Sequence, residues 1–71
     1  MTARPVKHSL TLRGHRTSVS LEEAFWRGFR DIAAERGVPI NVLAAEVDEA
    51  RGADVGLASA IRVFVLNRYR G

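Results

Sequence analysis

The chain has 71 residues, no cysteine, and 11 Lys and Arg against 8 Asp and Glu, a formal net charge of +3. This length allows one small domain, and the lack of cysteine excludes disulfides and thiolate metal sites, so we expect dimerisation to add stability. No apolar run approaches the ~20 residues that span a bilayer, and residues 1–8 lack a secretory signal. We therefore expect a soluble, cytoplasmic protein.

Positive charge is concentrated at the N-terminus of the chain. Most of the acids lie between residues 22 and 49, whereas the first sixteen residues contain no acid. The cations in those first residues are Arg4, Lys7, Arg13 and Arg16. We expect residues 1–8 to form a basic arm, and the basic end of the chain is the candidate nucleic-acid face.

Residues 9–20 are predicted to form a strand or a hairpin, because apolar residues alternate there with small polar or basic ones. In the hairpin interpretation, Gly14 and His15 form the loop, and Leu10 lies opposite Val19. In the alternative, only residues 16–20 form a strand, and residues 7–12 form a separate arm. A lone strand needs a partner for its backbone groups, which a second copy of the chain is expected to supply.

In the hairpin interpretation the apolar residues share one face, and the opposite face is polar and partly cationic. That polar face consists of Ser9, Thr11, Arg13, Arg16, Ser18 and Ser20.

The first helix is predicted over residues 21–36. Ser20 as N-cap and Glu23 three residues later form a capping box, and Gly37 is typical of the position just past a helix C-terminus. Apolar residues recur at helical spacing along one face of this segment, which indicates that this face is buried. They are Leu21, Phe25, Phe29 and Ile32.

Two further helices are predicted, an acidic amphipathic one over residues 40–51 and an apolar one over residues 57–69, separated by a loop rich in helix breakers. The last helix is apolar on most of its sides, which indicates burial against more than one neighbour. In so short a chain this predicts a dimer core. The predicted dimer core comprises Val19, Leu21, Phe25, Trp26, Phe29, Ile61, Phe64 and Val65.

Three segments of the chain resemble the ribbon-helix-helix family of DNA-binding proteins, in particular its small bacterial branch. They are residues 14–22 (GHRTSVSLE), the pair Phe25 and Trp26, and residues 57–66 (LASAIRVFVL). The resemblance covers most of the chain. It implies a mainly α fold with a short β-ribbon, assembled as an intertwined two-fold dimer whose antiparallel ribbon enters the major groove of DNA. The helix over residues 40–51 is an addition to the minimal family pattern.

The outward side of this ribbon is the candidate DNA-contacting surface. Because Val19 and Leu21 face inward, period two turns Arg16, Ser18 and Ser20 outward, and these three residues are predicted to contact bases. Arginine can bind guanine through two hydrogen bonds, and serine can donate or accept one. Other residues of this region are predicted to contact phosphates, which position the protein without specifying sequence. They are Lys7, Arg13 and His15.

The resemblance also implies a phosphate contact by main-chain N–H groups at the start of the last helix. The similar segment here is Gly56, Leu57, Ala58 and Ser59. Glycine and alanine stand where the family pattern has polar residues, so only Ser59 is left to reinforce this contact with a side chain.

No residue pattern indicates catalysis or metal binding, because the two histidines lack supporting cysteines and the chain has neither a paired acid and base nor a glycine-rich phosphate loop. We predict no enzyme activity, no metal and no cofactor. The leading hypothesis is sequence-specific binding of double-stranded DNA by a homodimer, or by higher oligomers on DNA, as a transcriptional repressor at the nucleoid.

Two other functions are weighed against this hypothesis. In one, the chain is a protein-interaction or antitoxin-like module whose acidic helix over residues 40–51 binds a protein partner; the toxin-binding tail typical of such antitoxins is not expected here, because the sequence ends at Gly71. In the other, it is an RNA-binding or architectural basic protein, for which a net charge of +3 is small.

Overall fold

A computed structural model describes residues 4–71 of the chain. Two antiparallel strands, β1 (Pro5–Leu12) and β2 (His15–Glu22), precede three helices, α1 (Glu23–Arg36), α2 (Ile40–Ala50) and α3 (Leu57–Arg70). The predicted class, mainly α with a short ribbon and an additional helix, is confirmed. Residues 5–8 of the expected basic arm belong to β1, and residues 1–3 of that arm lie outside the described residues. No helix within residues 4–71 is long and apolar enough to cross a membrane.

The two strands form a hairpin whose turn lies at Arg13 and Gly14, one residue earlier than predicted. Both turn residues have positive φ, 53° for Arg13 and 82° for Gly14, as a type I′ turn requires. Leu10 consequently faces Thr17 instead of its predicted partner Val19. The lone-strand interpretation is wrong, because β1 of the same chain supplies the partner strand.

The two faces of the hairpin are nevertheless as predicted. The register differs from the prediction by two residues, and because side chains alternate with period two, such a shift keeps each of them on its face. Leu10, Val19 and Leu21 are buried against the helices, and the opposite face is exposed. Arg13 is the exception, because it lies in the turn and not on the polar face.

The start of α1 differs from the prediction, and its end agrees. Strand β2 continues to Glu22, which is the N-cap of α1 and has no side-chain hydrogen bond to the first turn. The predicted capping box of Ser20 and Glu23 is therefore not formed. At the other end, Gly37 adopts the left-handed conformation (φ 68°), and its N–H donates to the Ala34 carbonyl at 3.1 Å.

One hydrophobic core lies between the inner face of the hairpin and the three helices. Leu21, Phe29, Leu43 and Ile61 are fully buried in it, so that β2, α1, α2 and α3 all contribute. Five residues of the predicted dimer core are buried within this single-chain core: Val19, Leu21, Phe29, Ile61 and Val65.

Helices α1 and α3 pack closely at Gly28. A β-carbon added at Gly28 would lie 2.9 Å from Cγ1 of Val65 and 3.3 Å from a ring carbon of Tyr69. Val65 is buried and β-branched, so its methyl group has little freedom to move away. The helix crossing therefore requires a residue without a side chain at position 28.

We expect Gly28→Ala to destabilise the fold by about 1–3 kcal/mol, the usual cost of overpacking, although alanine is the better helix former by ~1 kcal/mol. Val65→Ala should relieve the contact, so the two substitutions together should cost less than the sum of their separate effects. Urea unfolding followed by circular dichroism measures all three changes. Strictly additive losses would show that a side chain at position 28 does not press on Val65.

Candidate nucleic-acid interface

The exposed side of the hairpin, called here the outer face, carries polar side chains from both strands. They form three cross-strand pairs, Lys7 with Ser20, Ser9 with Ser18, and Thr11 with Arg16. All six side chains are exposed and all form hydrogen bonds readily. The predicted base contacts Arg16, Ser18 and Ser20 thus lie together on β2, and β1 places a second row of polar side chains beside them.

The positive charge of the outer face is not compensated by nearby acids, because most acids of the chain pair with arginines elsewhere. The pairs are Glu22 with Arg62, Glu23 with Arg27, Glu35 with Arg68, Glu46 with Arg36, Asp48 with Arg51, and Glu49 with Arg13. In the described part of the chain, neither Lys7 nor Arg16 has an ion-pair partner. Exposed ion pairs add little to the stability of the fold. Their main effect here is to compensate the charge of the acids, which leaves Lys7 and Arg16 as uncompensated cations on the outer face.

The three hairpin residues predicted to contact phosphates are placed differently. Lys7 lies on the outer face itself. Arg13 lies in the turn, and its guanidinium pairs with the Glu49 carboxylate of α2. His15 is exposed at the start of β2, opposite Leu12. It lies on the same side of the hairpin as the buried residues Val19 and Leu21, and not on the outer face.

A contact between Arg62 of α3 and Glu22 fixes the far end of β2. The Arg62 guanidinium donates from Nε to Oε1 of Glu22 at 2.8 Å and from Nη2 to Oε2 at 3.2 Å. A longer bond of 3.5 Å joins Nη2 to the Ser20 carbonyl. The hydrogen bonds from Arg62 hold the pKa of the Glu22 carboxyl below its usual range, with a further contribution from a backbone hydrogen bond.

Arg62 is the residue that sequence reasoning missed. It lies 40 residues from Glu22, so no local pattern links the two side chains. The signal in the sequence is a lone charge within the apolar run IRVFVL of the last helix. Because a charge in such a run needs a partner when it is half-buried, this interruption was the available clue.

The start of α3 has unoccupied main-chain donors, as the predicted phosphate contact requires. Gly56 is the N-cap without a side-chain hydrogen bond, and the first turn contains no acid. Gly56 and Ser59 are exposed, whereas Leu57 and Ala58 are half-buried. Since Arg62 in the following turn contacts β2, the N-terminal part of α3 lies next to the end of the ribbon.

Three of the four aromatic residues of the predicted dimer core are half-buried, and the fourth, Phe29, is fully buried. Trp26 stacks on His8 of β1, with ring centroids 3.9 Å apart and planes inclined by 7°. Nε2 of His8 lies 3.7 Å from a carboxylate oxygen of Glu23. Phe25, Trp26 and Phe64 are the members of the predicted dimer core that keep exposed surface in the single chain. Among residues 4–71 no cluster of three or more potential ligands for a metal ion is present.

Comparison with known proteins yields one match. The model of a family described as "Ribbon-helix-helix domain" matches residues 5–69, which is nearly the whole chain. No curated protein and no solved structure matches the chain. The matched range begins with β1 and includes α2, so both the first strand and the additional helix lie within the family match.

The Glu22 and Arg62 pair predicts a specific dependence of stability on pH. Because the pKa of Glu22 is lowered in the folded chain, its ionised form stabilises the fold above the unfolded value of about 4.3, and this contribution is lost as the pH falls through the folded value. We expect the chain to be more stable than the Glu22→Gln variant at pH 7, and the difference to shrink towards pH 3. Melting temperatures of both proteins at each pH measure this, and a difference that does not vary with pH would contradict the ion pair.

Proposed function

The chain belongs to the ribbon-helix-helix family, whose domain is DNA-binding and non-catalytic, and we propose that it binds double-stranded DNA through the outer face of its hairpin. The observation that carries this proposal is the composition of the outer face. Its three cross-strand pairs consist only of exposed hydrogen-bonding side chains, and the two cations among them, Lys7 and Arg16, have no ion-pair partner within residues 4–71. The one acid in register with this face, Glu22 at the end of β2, pairs with Arg62 of α3.

The dimensions of a two-stranded ribbon suit the major groove of DNA. Two strands lie about 4.8 Å apart, and the groove is about 12 Å wide and presents a distinct pattern of donors and acceptors for every base pair. In this proposal Arg16 and Ser18 contact base edges. Ser20 does so as well, since its hydroxyl is not engaged in the capping box and its side chain is exposed.

Phosphate contacts complete the proposed interface. Lys7 stands at the open end of the hairpin and can reach one strand of the DNA backbone. Main-chain N–H groups of residues 56–59 at the start of α3 are proposed to bind another phosphate, because unpaired donors and the helix dipole favour an anion there. Arg13 in the turn and His15 directly after it are proposed to contact phosphates at this end of the hairpin, with Arg13 shared between a phosphate and Glu49.

We also propose that the protein acts as a homodimer, as family members typically do on DNA. Val63, Leu66 and Tyr69 are 56%, 49% and 58% exposed on α3. Their spacing of three places them along one strip of the helix, and an apolar strip of this kind favours a second chain as its cover. Phe25, Trp26 and Phe64 are only half-buried in the single chain, and in this proposal the second chain covers their exposed surface as well.

Dimers on neighbouring half-sites would cover a promoter, so repression of transcription in the cytoplasm, at the nucleoid, is the activity that we propose for the whole protein. The runner-up, a protein-interaction module that uses the acidic helix, is disfavoured by charge pairing. Glu46, Asp48 and Glu49 of α2 each pair with an arginine of this chain, so little negative charge is left for a partner.

Two substitutions on the outer face should have different effects on DNA binding. Arg16→Ala is expected to cost about 1–3 kcal/mol at the preferred site and to relax specificity at one position, whereas Lys7→Ala should weaken binding to all sequences alike and reduce the salt slope by ~1. Selection from a random duplex library, followed by titration at several salt concentrations, measures both effects.

Arg30→Ala is the matched control for these variants, because Arg30 is an exposed arginine on α1 without an ion-pair partner in the described part of the chain. Its loss should change neither preference nor affinity. If the unmodified protein enriches no motif, or if Arg30→Ala has the effect expected of Arg16→Ala, the outer face is not the reading surface.

The proposed dimer interface predicts a change in mass for one of two matched variants. Leu66→Glu places a charge on the apolar strip of α3, and Val42→Glu places the same charge on α2 at a site of similar exposure, 45% against 49%. Because both positions are exposed, both variants should keep the fold. Sedimentation equilibrium should show that only Leu66→Glu shifts the protein towards the monomer, and an unchanged dimer would place the interface elsewhere.

A further inference from the structure

We propose that β1 reads DNA together with β2, and that the hydroxyl groups of Ser9 and Thr11 contact base edges. This inference rests on the proposed function and extends it from one strand to both strands of one chain. It assigns a role in sequence recognition to residues 7–12, for which the sequence alone allowed either a second strand or a separate arm.

The register of the hairpin places side chains of β1 beside the proposed base contacts of β2. Ser9 lies directly opposite Ser18, and Thr11 lies directly opposite Arg16. Residues that face each other across an antiparallel pair have β-carbons only about 4.5–5.5 Å apart and point to the same side of the sheet. A DNA duplex that receives the side chains of Arg16 and Ser18 is therefore also within reach of those of Ser9 and Thr11.

Strand β1 is held in place by a contact with α2. The Thr11 N–H, which points away from β2, donates to Oδ1 of Asn41 in α2 at 3.1 Å. At the adjacent turn, Arg13 pairs with Glu49 near the other end of α2. Helix α2 thus contacts the edge of β1 at Thr11 and the turn that follows β1 at Arg13, and the hydrogen bond from Thr11 holds the strand edge. An anchored strand can present side chains in defined positions, which a mobile arm cannot do.

Cations and hydroxyl groups are distributed along the whole length of the outer face. From the pair of Lys7 and Ser20 to the pair of Thr11 and Arg16, the face extends about 14 Å, or about four base steps. The cations lie at opposite ends of this length, and short hydroxyl side chains lie between and beside them. Short side chains allow the backbone to approach the base edges closely, and a serine or threonine hydroxyl can donate or accept a hydrogen bond there.

The hairpin also offers a matched control for this proposal. Thr11 and Thr17 are both exposed threonines in the hairpin, but they lie on opposite faces, because Thr17 pairs with the buried Leu10. Thr11→Val and Thr17→Val make the same change, which removes a hydroxyl and keeps the β-branched shape that suits a strand. Ser9→Ala removes the hydroxyl opposite Ser18.

The experiment is selection of binding sites from a random duplex library, followed by titration of the best site and of its single-base variants. We expect Thr11→Val and Ser9→Ala each to lose about three- to tenfold in affinity for the best site, the typical worth of a hydrogen bond between neutral groups. The loss should be accompanied by relaxed preference at one base position and an unchanged salt slope. Thr17→Val should bind like the unmodified protein.

Asn41→Ala tests the anchoring of β1, because it leaves every hydroxyl in place and frees the strand edge. It should weaken discrimination at the same base position as Thr11→Val, and full discrimination would overturn the anchoring step.

The outcomes separate this inference from the proposed function. If the unmodified protein selects a motif that Arg16→Ala relaxes, while Thr11→Val and Ser9→Ala behave like Thr17→Val, DNA reading by β2 stands and reading by β1 is overturned. If Thr11→Val weakens binding to all sequences equally, β1 contacts DNA without reading it, and the inference again fails. If the unmodified protein selects no motif, the proposed function and this inference fail together.

Discussion

The type I′ turn at Arg13 and Gly14 is the constraint on which the rest of the structure depends. It closes a hairpin within one chain, so every backbone group that faces the partner strand finds it without a second molecule. It also sets the register that places Leu10, Val19 and Leu21 on one side of the hairpin, where they pack against the helices and are buried in the core. The same alternation places the polar side chains on the opposite side. The pairing that buries the apolar side chains therefore also forms the outer face.

The distribution of charge follows from how the helices pack beneath this hairpin. Arginines of α1, of α3 and of the turn pair with acids of neighbouring elements, so the charges of Glu22, Glu35, Glu46 and Glu49 are compensated within the chain. A modest net charge of +3 would bind DNA weakly if it were spread evenly. Two cations without an ion-pair partner in the described residues, Lys7 and Arg16, lie on the outer face, which is the surface proposed to read bases.

The additional helix α2 contacts the first strand β1 directly. Helix α2 binds the edge of β1 through Asn41 and contributes the buried residues Leu43, Ala44 and Val47 to the core. An exposed strand edge is a site for unwanted pairing, so a covering helix has a structural use as well. The core is enclosed by one chain, so in the proposed dimer the second copy covers the apolar strip of α3 and doubles the reading surface.

Much of this architecture is determined by the sequence alone, because it depends on local periodicity. Alternation of apolar and polar residues assigns the two faces of the ribbon, and that assignment survives the two-residue difference in register. Helical spacing and Gly37 locate the helices to within two residues at each end. The family resemblance, confirmed over residues 5–69, adds the functional class.

Contacts between distant segments were decided only by the tertiary structure. The local sequence predicts a capping box of Ser20 and Glu23, but strand pairing continues and extends β2 to Glu22. Arg62 of α3 binds the Glu22 carboxylate there. Whether β1 was a strand or an arm was settled by its pairing with β2 and by Asn41 from α2. Such choices depend on which partners the fold brings within hydrogen-bonding distance, and a one-dimensional pattern does not contain that information.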